Sequence, residues 1–188
     1  ISRSRKAQLL VATLLIALSS TTLSQLLADY LKPPGPQTCI FDNWRAPSLP
    51  ISDFILNKPA INKFIISLDS FLIDVLVTTY ALMFLLKGTL SVSYITPLFY
   101  IARGAGLAVG GRWPKPSPYL FGETGVPSLF VSYAATNDFY FSGHIGMTTF
   151  LFVVTAVYGY KRFSVMAFFA LLYTWFMLTV TGGHFTND

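Results

Sequence analysis

A chain of 188 residues that is 53% hydrophobic and only 11% charged has too little polar surface to face water on all sides, since soluble domains carry about 25% charged residues. The mean hydropathy of +0.57 points the same way, to lipid as the main solvent. The formal charge of +5 does not mark a nucleic-acid binder: the Lys and Arg residues are scattered, and only Arg3, Arg5 and Lys6 cluster, beside an apolar run. The single cysteine, Cys39, excludes an intrachain disulfide and a cysteine-based zinc site, and with no base near it in sequence it reads as inert.

Five apolar segments follow in chain order. They run from about Ala7 to Leu27, Phe64 to Leu86, Thr89 to Val109, Ile145 to Tyr160 (extended upstream by Phe139 to Phe141) and Phe163 to Val180. A helical span needs about 20 residues, so the pattern predicts an all-α, polytopic transmembrane bundle with five spans. The first segment has the basic start and apolar core of a signal sequence. Its length and the lack of a small-x-small cleavage site favour an uncleaved anchor. Residues 1–47 are expected to form this anchor and a first outer loop, and residues 48–188 a catalytic membrane domain. The chain starts at Ile1 without a methionine and stops at Asp188 just after an apolar segment, so both ends read as cut.

The connections alternate in character. Short basic ends lie at Arg3 to Lys6, at Lys87, and at Lys161 with Arg162, whereas the loops 29–63 and 110–140 are long and rich in Pro, Gly, Ser and aromatics. The positive-inside rule assigns the basic ends to the cytosol and the long loops to the opposite side. Five spans from a cytosolic amino end then carry both His144 and His184 to the non-cytosolic face. Trp44, Trp113 and Trp175 suit interface anchors or lipid contacts. Asp69 and Asp74, inside the second segment, are expected to line a polar cavity or to pair with a neighbouring span.

The two histidines sit in polar knots at the ends of apolar runs. The first knot runs Thr136-Asn137-Asp138-Phe139-Tyr140-Phe141-Ser142-Gly143-His144 and the second Gly182-Gly183-His184-Phe185-Thr186-Asn187-Asp188. In a helix, His184 and Asp188 share a face, so the carboxylate fixes the imidazole tautomer and leaves the other nitrogen as a nucleophile. The alternative is an interfacial His beside a helix-end carboxylate. Ser142-Gly143 opens a predicted helix whose free N–H groups suit a phosphate, and His144 beside it suits a proton donor to a leaving oxygen. The alternative there is a plain membrane-boundary turn. The histidines are forty residues apart, enough for one helix out, a basic turn and one helix back. Arg103, near the outer end of the third segment, matches a phosphate with its planar fork or else snorkels towards headgroups. Asp138 is a hydrogen-bonding neighbour for His144 or a cap for the following helix. Glu123, the only glutamate, polarises a histidine or is a solvated loop residue.

Ser142-Gly143-His144 followed by His184-x-x-x-Asp188 resembles the signature of the lipid phosphatase/phosphotransferase superfamily. Within it, Asp138 to His144 and His184-Phe185-Thr186-Asn187-Asp188 are similar to the third and fourth motifs of the branch of sphingomyelin synthases and plant phosphatidylcholine:diacylglycerol cholinephosphotransferases. Tyr is usual there at the position of Phe185. Arg103 with Trp113-Pro114-Lys115-Pro116 resembles a degenerate second motif, and Leu49-Pro50-Ile51-Ser52-Asp53 weakly resembles the first. The resemblance spans about residues 48–188 and implies a sixth span beyond the fourth motif.

It also implies a chemistry: transfer of phosphocholine or phosphoethanolamine from a phospholipid donor to a lipid alcohol acceptor such as ceramide or diacylglycerol. His184 would be the nucleophile, Asp188 its orienting partner and His144 the acid and base. Arg103, Ser142 and Gly143 would hold the phosphoryl oxygens, with no metal and no other cofactor. The site would face the lumen or exterior of an endomembrane or the plasma membrane. The phosphatase branch, with water as acceptor, typically has Lys-x6-Arg-Pro, a Pro before Ser-Gly-His and an Arg before the last His; here Phe141 and Gly183 stand at the latter two positions and the first motif does not occur. A non-catalytic lipid-binding scaffold and a zinc site built from His144, His184 and Asp188 are the readings from other classes.

Overall fold

The computed structural model describes residues 2–31, 43–87, 90–110, 120, 124–129 and 142–183. Among them every regular element is helical. In chain order these are α1 (Arg3–Leu31), a short 3-10 helix (Asn43–Ser48), α2 (Leu49–Leu56), α3 (Pro59–Lys87), α4 (Leu90–Gly110), α5 (Gly143–Val157) and α6 (Lys161–Thr181). The five apolar segments correspond to α1, α3, α4, α5 and α6. Among the described residues two helices, Pro59–Leu86 and Lys161–Thr181, are long and apolar enough to cross a membrane. The helix Gly143–Val157 is apolar but has 15 residues, or about 22 Å against a hydrocarbon core of about 30 Å.

The region 29–63, expected as one long loop, contains helix at both ends and in its middle. Two prolines of this Pro-rich stretch sit where a helix accepts them: Pro50 lies in the first turn of α2 and Pro59 is the first residue of α3, positions whose N–H needs no intrahelical acceptor. Asn62 and Lys63, which ended the apolar run in sequence, lie inside α3.

α5 and α6 form an antiparallel pair around a tight turn. Gly159 adopts φ 76 there, the left-handed conformation that a residue without Cβ takes at no cost. Tyr160 N–H then donates to Thr155 O at 2.8 Å and Ser164 N–H to Tyr160 O at 2.9 Å, which starts α6. Ala167 and Ala170 are buried in the core with Met147, Phe150, Leu151 and Val154 of α5, small residues that let two helices approach closely where apolar burial alone gives little. Leu76 of α3 joins this cluster, and Phe99 of α4 stacks on Phe150 with ring centroids 4.9 Å apart. The buried threonines do not break the apolar packing: Thr155, Thr148 and Thr181 return their hydroxyl protons to carbonyls one turn back.

α1 packs along α4, and α3 contacts α1, α5 and α6. Ser20 Oγ donates to Tyr100 O at 3.1 Å between α1 and α4. At the other end of α1, Lys6 Nζ donates to Leu85 O at 3.3 Å in the last turn of α3, where a cation meets the negative end of a helix. The amino end of α1, the carboxyl end of α3 and the α5–α6 turn thus share the basic end of the bundle.

The opposite end is tied by polar contacts. Asn62 Nδ2 donates to Leu120 O at 2.8 Å, and Leu120 N–H donates to Thr181 O at 2.6 Å. Ser52 Oγ of α2 donates to Val180 O at 2.7 Å. Part of the chain between α4 and α5 departs from an outer loop: Leu129 N–H and Ser128 Oγ donate to the Asp74 carboxylate at 2.9 and 3.0 Å, and Asp74 is in the middle of α3. Of the two expectations for this side chain, lining a polar cavity or pairing with a neighbouring span, the second is met by a non-helical stretch instead, because a carboxylate offers two acceptors to an N–H and a hydroxyl that a regular helix would not present.

Candidate functional site

The site is built at the start of α5. Ser142 has extended backbone, φ −64 and ψ 115, and its side chain accepts from Ile145 N–H at 3.2 Å. Gly146 N–H reaches Ser142 O at 2.9 Å. Ser142 is therefore the N-cap, satisfying one of the donors that a helix start leaves open and holding the rest in one direction. His144 follows within the first turn. Its Nε2 atom is buried, and its carbonyl accepts the Thr148 hydroxyl at 2.9 Å.

Arg103 comes to this corner from α4. It is only 9% exposed, so it does not snorkel along the outside of the bundle. Its guanidinium lies close to Gly143: a Cβ at that glycine would be 2.7 Å from Nη2, 3.1 Å from Cζ and 3.2 Å from Nε. Gly143 is thus the residue that admits the cation to the helix start. This brings two positive features together, the guanidinium and the amino end of α5, which carries roughly half a unit of positive charge. Such a pair is stabilised by an anion between or beside its members. A phosphate suits it, since it takes N–H groups from the helix start and the planar fork of an arginine.

Of the expected site residues, Arg103, Ser142, Gly143 and His144 are brought together at one corner. His184, Asp188, Asp138 and Glu123 lie outside the described residues, as do Trp113 to Pro116 of the second-motif resemblance. The end of α6 that leads to His184 is described. Gly182 stops the helix with φ 67, and Gly183 N–H donates to Leu178 O at 3.0 Å. Leu178 and Met177 pack with Ile66 and with Ile145, the neighbour of His144. The start of α5 and the end of α6 therefore belong to one end of the bundle, and His184 follows Gly183 directly.

Leu49 to Asp53, the weakest of the motif resemblances, forms α2 against that same end. Its buried Ser52 fixes the last turn of α6 through Val180, four residues before His184. Sequence reasoning gave Ser52 no role of its own; a serine beside Asp53 between apolar residues was the available signal. Asp69 also finds a neighbouring helix. It is fully buried, and Thr174 of α6 donates to its Oδ1 at 2.6 Å. Among the described residues no group of three His, Cys, Asp or Glu side chains is placed to hold a metal.

Beneath the corner lies an apolar cavity of about 320 Å³ between α1, α3, α4 and α5. Tyr100 and Met147 line its upper end, one helical turn from Arg103 and His144, and Leu10, Leu14 and Leu85 its lower end. Its volume is in the range of small-ligand sites. No family model, no curated protein and no solved structure matches the chain.

Proposed function

We propose that the chain is an integral membrane phosphotransferase with five spans in this sequence. It moves phosphocholine or phosphoethanolamine from a glycerophospholipid to a lipid alcohol such as ceramide or diacylglycerol. The observation that carries this reading is the seating of the Arg103 guanidinium on Gly143, between the N-cap Ser142 and His144. A cation so placed favours a bound phosphoryl group, and the apolar cavity one turn below favours a ligand with a hydrocarbon chain.

In this reading His184 attacks the phosphorus of the donor lipid. A P–N bond forms, the P–O bond to diacylglycerol breaks, and His144 delivers its proton to the departing oxygen. The acceptor hydroxyl then gives its proton to His144 and attacks phosphorus, and the P–N bond breaks. Asp188 orients His184. Arg103 and the N–H groups at the start of α5 neutralise charge on the phosphoryl oxygens at both steps. The basic ends of the spans face the cytosol, so the reaction faces the lumen or exterior of an endomembrane or the plasma membrane.

The test is an assay of the full-length protein in membranes, using headgroup-labelled phosphatidylcholine or phosphatidylethanolamine with ceramide, diacylglycerol and water as competing acceptors. Label is expected on a lipid acceptor and absent in His184→Ala. Label released only as water-soluble phosphocholine or phosphoethanolamine would make the protein a phosphodiester hydrolase of the phospholipase C type, with water as acceptor, and unchanged transfer in His184→Ala would remove the nucleophile assignment.

A further inference from the structure

The two acids of α3 meet different surroundings. Asp69 is 0% exposed and points into the bundle, where it accepts from Thr174. Asp74 lies five residues on, which turns it by about 140° around the helix axis. It is half-buried and accepts from Ser128 and Leu129. Asp74 is also deep. It stands fifteen residues from Pro59 and thirteen from Lys87 in α3, about 22 Å and 20 Å from the two ends.

The chain that reaches it starts and finishes at the outer end of the bundle. Leu120 is bound to Asn62 and Thr181 there, and Ser142 caps α5 there. From Asn62 to Asp74 is about 18 Å along α3. The segment Thr124–Leu129 therefore lies at mid-depth, while Leu120 before it and Ser142 after it both lie at the outer end. It is not helical, and Gly125, Val126, Pro127 and Leu129 are exposed. Of its polar groups, Val126 N–H is held by Thr124 Oγ1 at 3.2 Å and Leu129 N–H by Asp74.

Irregular backbone at membrane depth does not face lipid. It is found buried in protein or lining water. Ionisable side chains at that depth obey the same restriction. Asp69 takes the first option and Asp74, on the exposed side with the dipping segment, is left with the second. Resting on the reading that α3 spans the membrane, we propose that Thr124–Leu129 re-enters the bundle and lines a water-filled crevice, open at the outer end and closed near Asp74. Asp74 is its anchor: it holds the segment at depth by accepting two donors, and the crevice keeps its carboxylate hydrated.

The crevice is tested by cysteine accessibility, with Cys39→Ser removing the single native thiol. Cysteines are placed one at a time at Val126, Leu129, Phe71 and Lys58 of the full-length protein in sealed membranes, and a membrane-impermeant maleimide is added to the outer side. Val126→Cys and Leu129→Cys are expected to react within an order of magnitude of Lys58→Cys, which lies outside the bundle. Phe71→Cys, an exposed position of α3 one turn from Asp74 and in lipid on this account, is expected to react roughly tenfold more slowly or less. Val126→Cys reacting as slowly as Phe71→Cys would overturn the crevice while leaving α3 in the membrane. Disulfide capture of Val126→Cys between two chains would do the same and assign the cover to a second copy. Phe71→Cys reacting as fast as Lys58→Cys would instead overturn the spanning of α3, and the crevice with it.

Discussion

Cations stand beside a helix start at both ends of the bundle, that of α5 at one and that of α6 at the other, and the two sets are housed differently. At the basic end, Lys161 and Arg162 stand in the first turn of α6, beside the Gly159 turn, and both are exposed. Cations beside a helix start repel its dipole, and water screens the repulsion. At the other end Arg103 meets the start of α5 while almost fully buried, with Gly143 pressed against it. Water relieves little there. Charge pattern alone therefore does not mark a phosphate site, since both ends have cations at a helix start. Burial of the cation, and the glycine that permits it, is what distinguishes the Arg103 end, where a phosphate is proposed to bind, from the Lys161–Arg162 end.

Substitutions at the two ends break or sharpen this contrast. The largest effect is expected at Arg103. Arg103→Ala removes the buried cation and should lower headgroup transfer by roughly 10²–10³-fold, the range for losing one preorganised charge-stabilising group, as measured in the labelled-lipid assay. Thr174→Val leaves the carboxyl of Asp69 without its hydroxyl donor inside the bundle. It should lower stability by about 1–3 kcal/mol, read from the melting of the detergent-solubilised protein. Ser142→Ala removes the N-cap and should lower stability by about 1 kcal/mol, with a shift in melting smaller than that of Thr174→Val. Lys161→Ala with Arg162→Ala removes only exposed charge and should change stability by less than about 0.5 kcal/mol, with transfer activity unaltered. Equal losses of transfer from the Arg103 and the Lys161–Arg162 variants would erase the distinction between the ends.

The helices that carry the site were legible because apolar runs are interrupted by glycine and charge at their ends. The runs expected from Phe163 and from Ile145 differ from α6 and α5 by two residues at their starts. What sequence could not supply was contact between distant segments. Arg103 and Gly143 are separated by a long connection, so nothing in their spacing says that the guanidinium rests on the glycine. Of the two roles weighed for Arg103, snorkelling needs the side chain turned outward, and α4 turns it inward; binding is the role proposed for it. Asp74 shows the same limit. Its sequence context, an acid in an apolar run, fits an interhelical pair as well as an anchor for a dipping segment. The loop expected over 29–63 hid helical turns for a different reason: a proline suits the start of a helix as well as a loop, as Pro50 and Pro59 do here.

The central claim is that Arg103 and the start of α5 form one phosphate-binding corner, and Gly143→Ala tests it most directly. The added methyl would sit 2.7 Å from Arg103 Nη2, so the guanidinium must shift off the helix start, while alanine suits the helix at least as well as glycine. Headgroup transfer from labelled phospholipid should fall by roughly 10²-fold with melting unchanged or raised. Transfer retained at the wild-type rate, in a protein that still folds, would contradict the account.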